Sequence, residues 1–280
     1  MKALNRKLIR DLATMKGQAL AIAAVLGCGI AILVMSTATL DTLATAKDTY
    51  YARHRFADVF VSLVRAPQSL AERVARIDGV ASADHRIVEA LTLDMPGLAE
   101  PAGGQIISLP LREEGGLNRV YLKSGRMPAA GRVGEVLVGE TFAAAHRLEP
   151  GAKIEAIIRG RKQTLTMTGL ALSPEHIIQV QPGSFFPDDL RFGVFWMERR
   201  QLEAASDMTG AFNNLTLQLA RQANAEEVIR RLDRLLEPYG GSGAHTRESQ
   251  PSARFVEDEL RGLRIMGLVA PAIFHGVPAF

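Results

Sequence analysis

The chain has 280 residues, 47% of them hydrophobic, with 33 Lys and Arg against 30 Asp and Glu and one cysteine. Of the net charge of +3, the segment before residue 17 supplies more than the whole: Lys2, Arg6, Lys7, Arg10 and Lys16 stand there against Asp11 alone, and residues 41–263 are net acidic. A nucleic-acid partner is therefore excluded, because phosphate binding needs basic charge gathered on the folded domain. Cys28 excludes an internal disulfide and any cysteine metal site, and about 220 residues beyond the apolar run are enough to bury a core.

Residues 1–16 form a basic head in which Leu4, Leu8, Leu12 and Met15 recur at helical spacing, the pattern of an amphipathic helix lying at a membrane surface or of a short positive leader segment. Gly17–Leu40 carries no charge over 24 residues. At about 1.5 Å per residue such a helix crosses a hydrocarbon core of about 30 Å. The basic flank before it puts the N-terminus in the cytoplasm and residue 41 onward outside. Ala44-Thr45-Ala46 leaves a cleaved signal peptide open, but a secretory apolar core is usually about 7–15 residues, and a retained anchor fits better. Ala19, Ala23, Gly27 and Ala31 form a ladder of small residues that suits close approach of another helix, or reflects the abundance of alanine.

Residues 41–116 read as the first half of an α/β unit. Phe56–Val64 alternates like a strand that ends at Ala66-Pro67, and Ser69 with Glu72 has the form of a capping box for a helix through Ile77. Val80–Leu93 is extended, Pro96–Gly104 a loop, and Gln105–Leu111 a short strand. Residues 117–205 read as a β-rich insert: Tyr121–Gly134 is turn-rich, Glu135–Val138 a buried strand and Thr141–Arg147 a helix. Lys153–Arg159 and Lys162–Leu172 form a hairpin across Gly160-Arg161, Ser173–Phe186 is a loop, and Arg191–Met197 a strand. Residues 206–261 repeat the strand-helix order, with strand Asn214–Leu219, helix Ala225–Leu236 and a break at Pro238–Gly243. The expected class is α+β: one N-terminal transmembrane helix, then an exported split ferredoxin-like α/β domain with a β-rich insert. Residues 262–280 begin like a second span, but Arg264, Pro271, His275 and Pro278 interrupt it.

Candidate chemistry is sparse. No Gly-x4-Gly-Lys-Ser/Thr loop is present, so the chain is not itself an ATPase. His54, His85, His146, His176, His245 and His275 form no ligand pair at helical spacing, and Gly241-Ser242-Gly243 lacks the nucleophile-elbow pattern. Asp188-Asp189 and Glu257-Asp258-Glu259 could attract a cation, but read more simply as solvated faces. No catalytic, cofactor-binding or metal-binding residue nominates itself, and no cofactor is expected.

The basic head, the span, Leu122–Ala143 (LKSGRMPAAGRVGEVLVGETFA) and Leu148–Gly151 (LEPG) together resemble permease subunits of ABC transporters of the FtsX-like or MacB-like class. Ser173-Pro174-Glu175 and Pro187–Gly193 (PDDLRFG) are similar to a subgroup of these permeases. The resemblance implies a bacterial inner-membrane protein whose periplasmic domain is porter-like with an inserted β-rich part. Its implied partners are a cytoplasmic ABC ATPase, a second permease copy in a dimer, the lipid bilayer and a periplasmic adaptor. The implied work is mechanical: ATP-driven motion reaches the periplasmic domain and moves a hydrophobic or lipidic cargo. Members of the class continue into several further spans, so the resemblance also implies that this chain is an N-terminal fragment. The alternatives are a single-span anchored periplasmic sensor or adaptor, and an anchored hydrolase, for which no nucleophile–base pair is visible.

Overall fold

The structure, a computed structural model, describes residues 7, 10, 14–110, 116–184 and 186–276. Most of the basic head lies outside the described residues. The chain divides into two units, residues 1–49 with 256–280 and residues 50–255.

In the first unit, helix α1 (Lys16–Arg53) runs well past the expected span of 17–40. Among the described residues it is the one helix long and apolar enough to cross a membrane, with a mean hydropathy of 2.5 over its most apolar window. Among the described residues its partner is the last helix of the fold, and Ala23, Gly27 and Ala31 of the small-residue ladder lie away from that contact. Ala23, Gly27 and Ala31 are exposed, whereas Gly29, Leu33, Ser36, Leu40 and Ala44 are among the more covered residues. Gly267 lies so close to Ser36 that a β-carbon there would come within 2.9 Å of the Ser36 Cβ. Small residues let helices approach, but here the helices use Ser36 and Gly267. Lys47 meets Glu257 at 3.1 Å in the same unit.

The second unit holds two sheets. The first is four-stranded in the order β11-β1-β10-β2, built from β1 (Val59–Pro67), β2 (Val80–Arg86), β10 (Ala211–Leu219) and the short β11 (His245–Thr246). Its neighbouring strands are all antiparallel. Helices α2 (Ser69–Ala75) and α5 (Ala225–Leu236) link β1 to β2 and β10 to β11. They bury Leu70, Val74, Leu232 and Leu236 against Val59, Val61, Leu63, Leu215 and Leu217. Each such side chain contributes about 1.5–3 kcal/mol by leaving water. The capping box expected at Ser69 does not form. Gln68 is already helical (φ −56°, ψ −29°) and no side chain caps the helix, so Ser69 falls inside its first turn. On α5 the N-cap is conventional, with Asn224 accepting from the Glu227 amide at 3.2 Å.

The second sheet is seven-stranded: β3 (Val88–Asp94), β4 (Ala102–Ser108), β5 (Tyr121–Gly125), β6 (Glu135–Gly139), β7 (Lys153–Ile158), β8 (Arg161–Leu172) and β9 (Phe192–Met197), in the order β5-β8-β6-β9-β4-β3-β7. The first half of β8 pairs with β7 and its second half with β6 and β5, so the sheet closes on itself. Closure removes most of the exposed edge. Inside sit Leu93, Ile106, Val138, Phe142, Ile158, Leu165 and Phe195, all fully buried. Helix α3 (Glu140–Ala145) contributes Phe142 to this core.

Three boundaries differ from the sequence reading. The chain changes sheets at Ile87, not at residue 117: β3, which reads as a continuation of β2, and β4, which reads as a separate short strand of the first half, belong with the β-rich part. Alternation reports a half-buried strand but not which sheet it joins. The change is clamped by Asn213, which accepts from the Val88 amide and donates to the Val88 carbonyl, both at 2.9 Å. The β7–β8 turn is centred on Arg159 and Gly160 (φ +48° and +76°), with Ile158 facing Arg161, one residue earlier than expected. Both central residues need positive φ to match the strand twist, and arginine here takes the position usually held by Asn or Asp. Finally, Tyr121–Gly125 is a strand rather than a turn, and α4 (Arg199–Ala205) was not anticipated.

Candidate functional site: a buried ionic junction

A dense polar constellation of the second unit lies where its residues 50–58 and 247–252, the latter leading into α6 (Pro251–Gly276), meet both of its sheets. At its centre is Glu175, 6% exposed, in the short 3-10 turn that follows β8. The turn is set by Ser173, whose Oγ accepts from the Glu175 amide, and by Pro174, whose fixed φ suits a first helical position.

Arg86, at the end of β2, grips Glu175 with both guanidinium arms, at 2.5 and 2.6 Å. Its third donor goes to Asn214 Oδ1 on β10 at 2.7 Å, and Asn214 in turn donates to Ser62 on β1 at 3.1 Å. Asn118 Nδ2 donates to Glu175 at 2.9 Å and Gln250 Nε2 at 3.5 Å. The same Asn118 accepts from the Ala57 amide at 2.8 Å through its Oδ1. It can do so because it sits in the left-handed region (φ +50°), which asparagine tolerates better than most residues. One carboxylate thus bonds Arg86 of the four-stranded sheet, Asn118 between β4 and β5 and Gln250 just before α6, and Asn118 carries the network on to the segment following α1.

Arg247 secures the two helix roots to each other. It donates to the carbonyls of Phe56 and Ala57 at 2.5 and 2.9 Å and pairs with Asp58 at 2.7 Å. Its guanidinium lies 4.8 Å from the Phe56 ring centre and 5.7 Å from that of Tyr51. Ser252, fully buried in the first turn of α6, accepts from the Ile178 amide at 3.2 Å.

The electrostatics follow from burial. Burial alone would raise the pKa of Glu175, but Arg86, then His176 and the Asn118 hydrogen bond outweigh it, and the carboxyl stays ionised below its ordinary range. Asp84 goes the other way: burial raises it more than the Leu117 amide and the nearby arginines lower it. His176 is held down first by burial and also by Arg86, against the pull of Glu175. Breaking such a pair is costly because it leaves one buried charge without its partner.

The residues weighed from sequence fall elsewhere or into ordinary roles. His54 lies against the Arg119 carbonyl, His85 packs on Phe212, His146 meets the Leu190 carbonyl at 2.8 Å and His245 stacks on Phe60. The His275 side chain lies outside the described residues. Asp188 caps its own turn by accepting from Leu190 and Arg191, and in the other cluster Glu257 takes Lys47 while Asp258 takes Arg261. Among the described residues no group of three His, Cys, Asp or Glu side chains is placed to hold a metal. The junction itself went unread. Its members are scattered from residue 57 to residue 252, and the available signals were Asn213-Asn214 inside an apolar strand and the Ser-Pro-Glu turn.

No protein-family model matches the chain, and no curated protein matches it. Among solved structures it is similar to the periplasmic region of MacB from Actinobacillus actinomycetemcomitans, at 10% identity and a TM-score of 0.41 over 75% of this chain and 95% of that one. It is similar to the extracellular domain of the noncanonic ABC-type transporter YknZ from Gram-positive bacteria, at 11% and 0.40 over 68% and 98%. A domain of a permease protein from Porphyromonas gingivalis is similar at 12% and 0.36, over 69% and 88%.

Proposed function

We propose that the chain is a permease subunit of an ABC transporter of the FtsX-like or MacB-like kind, with a bilayer anchor and an exported domain that works mechanically. The observation that carries this reading is the junction. α1, the apolar helix, continues without a break to Arg53, and the residues after it share one buried ionic network with the first turn of α6. A displacement of either helix root has a stiff path into both sheets, through Asn118 and Glu175 and onward through Arg86.

In this reading residues 17–40 cross the inner membrane with the basic head in the cytoplasm. The four-stranded sheet with its two helices is a ferredoxin-like half-and-half domain: strand order 4-1-3-2 within its own strands, split between β2 and β10, supports that assignment. The segment from β3 to β9 is then the insert. A cytoplasmic ABC ATPase supplies the energy, a second permease copy completes a dimer, and a periplasmic adaptor receives a hydrophobic or lipidic cargo. The chain's own side chains need no catalytic chemistry for this work, only two states that nucleotide biases differently.

The test is purification of the tagged full chain from membranes of its host in mild detergent, with and without reversible crosslinking. The reading expects an ABC-type ATPase subunit in the complex, with ATP hydrolysis that responds to the chain. A chain that stays free of any such subunit in both preparations contradicts it. A membrane-impermeant maleimide should also label Ser184→Cys from the outer side in intact inner-membrane preparations, and labelling only after permeabilisation would refute the topology.

A further inference from the structure

His176 occupies a position that the transport reading leaves unused. Its side chain is 12% exposed, its Nε2 is sealed from water, and that atom has no hydrogen-bond partner. A buried nitrogen of this kind costs free energy and calls for a reason. Glu175 Oε1 stands 4.0 Å from this nitrogen, just beyond bonding reach. That same oxygen already receives Arg86 at 2.6 Å and Gln250 at 3.5 Å, the second at the limit of a hydrogen bond. The ring also meets the edge of Trp196 on β9, with centroids 6.2 Å apart.

We propose that His176 is an acid-sensitive latch on the root of α6: once protonated it takes Glu175 as acceptor, draws the carboxylate from Gln250, and frees the first turn of the helix. The charged groups acting on the ring are Glu175 beside it and Arg86 from β2; β9 presents only the uncharged Trp196. With a neutral ring, Arg86 and Glu175 balance. A proton taken from solvent leaves two buried cations sharing one carboxylate, and the weakest of the carboxylate's bonds yields first. Gln250 is that bond, and Ser252 two residues later holds Ile178, two residues from His176. Local geometry therefore routes the change to residues 250–252. Burial places the transition below the ordinary histidine range, with Glu175 pulling it up and Arg86 pushing it down. The proposal goes beyond the transport reading and stands without it.

The chain provides its own reporter, since Trp196 is its single tryptophan. Fluorescence of the full chain in detergent, followed from about pH 8 to about pH 4.5 around the ordinary histidine value, should fall in a one-proton transition as the imidazolium forms. His176→Gln should abolish it and His85→Gln should leave it. Over the same range, backbone hydrogen exchange of residues 249–256 should speed up at least several-fold in the unaltered chain and stay level in His176→Gln. A transition that survives His176→Gln, an exchange rate that ignores the transition, or no transition at all overturns the proposal. Should His176→Gln not fold, histidine-selective carbon NMR of the unaltered chain decides: the His176 midpoint must coincide with the Trp196 transition, and a separate midpoint refutes the latch.

Discussion

Replacing Glu175 with glutamine removes one charge and almost no volume, which isolates the ionic part of the junction. Arg86 has a side chain only 12% exposed, and it would lose the bidentate charged pair, keeping one neutral bond to the new amide oxygen at most and the one to Asn214 at 2.7 Å. A buried charge left without its partner costs about 3–5 kcal/mol. The surviving Asn214 contact and the residual exposure of Arg86 favour the lower end, about 3 kcal/mol. With a urea dependence of about 2 kcal/mol per molar, the unfolding midpoint of the full chain in detergent should drop by about 1.5 M, read from Trp196 fluorescence. The paired replacement Arg86→Met with Glu175→Leu removes both charges and fills their space. It should recover most of the loss, because apolar substitutes often match a buried ion pair in stability. Refutation would come from a Glu175→Gln midpoint within about 0.3 M of the unaltered chain, or from a double variant no better than the single one.

Three further outcomes follow from particular contacts. Gly104→Ala should destabilise the closed sheet by about 1–3 kcal/mol, since the added carbon would stand 2.8 Å from the Gly193 carbonyl oxygen and 3.0 Å from Leu91; thermal unfolding measures it. In a Cys28→Ala background, Ser36→Cys with Gly267→Cys should form a disulfide on mild oxidation, whereas Ala31→Cys with Gly267→Cys should not, because Ala31 faces away from that contact. His85 is pushed down to about 4, first by burial and then by Arg199. A histidine with a lowered folded value stabilises the fold fully above its ordinary value of 6.5 and loses that contribution as pH falls toward 4. His85→Gln should therefore flatten the acid side of the unfolding-midpoint curve between those values.

The apolar helix and the order of most strands were legible because each depends on local pattern: an uncharged run, alternation over Asn214–Leu219, a helical stripe at Val228, Leu232 and Leu236. The sheet change at Ile87 was not, since nothing local separates a strand that continues from one that crosses to a new partner. The face that α1 turns to α6 was not legible either, for a related reason. Several faces of α1 carry small residues, and only the partner helix, through Gly267, selects the one holding Ser36. The junction was least legible of all. Arg86 and Glu175 are 89 positions apart, each unremarkable alone, and only the fold makes them a pair.

The proposed transport function requires that nucleotide bound by a cytoplasmic partner moves the junction. Ser252 is buried in that junction and bonds to the loop that carries Glu175. In a Cys28→Ala background, the alkylation rate of Ser252→Cys in membranes from the native host measures how often the root of α6 opens. The account predicts that trapping the ATPase with ATP and vanadate changes this rate several-fold relative to the nucleotide-free state. The same rate in both states, with the Ser252→Cys chain folded and inserted, would contradict it.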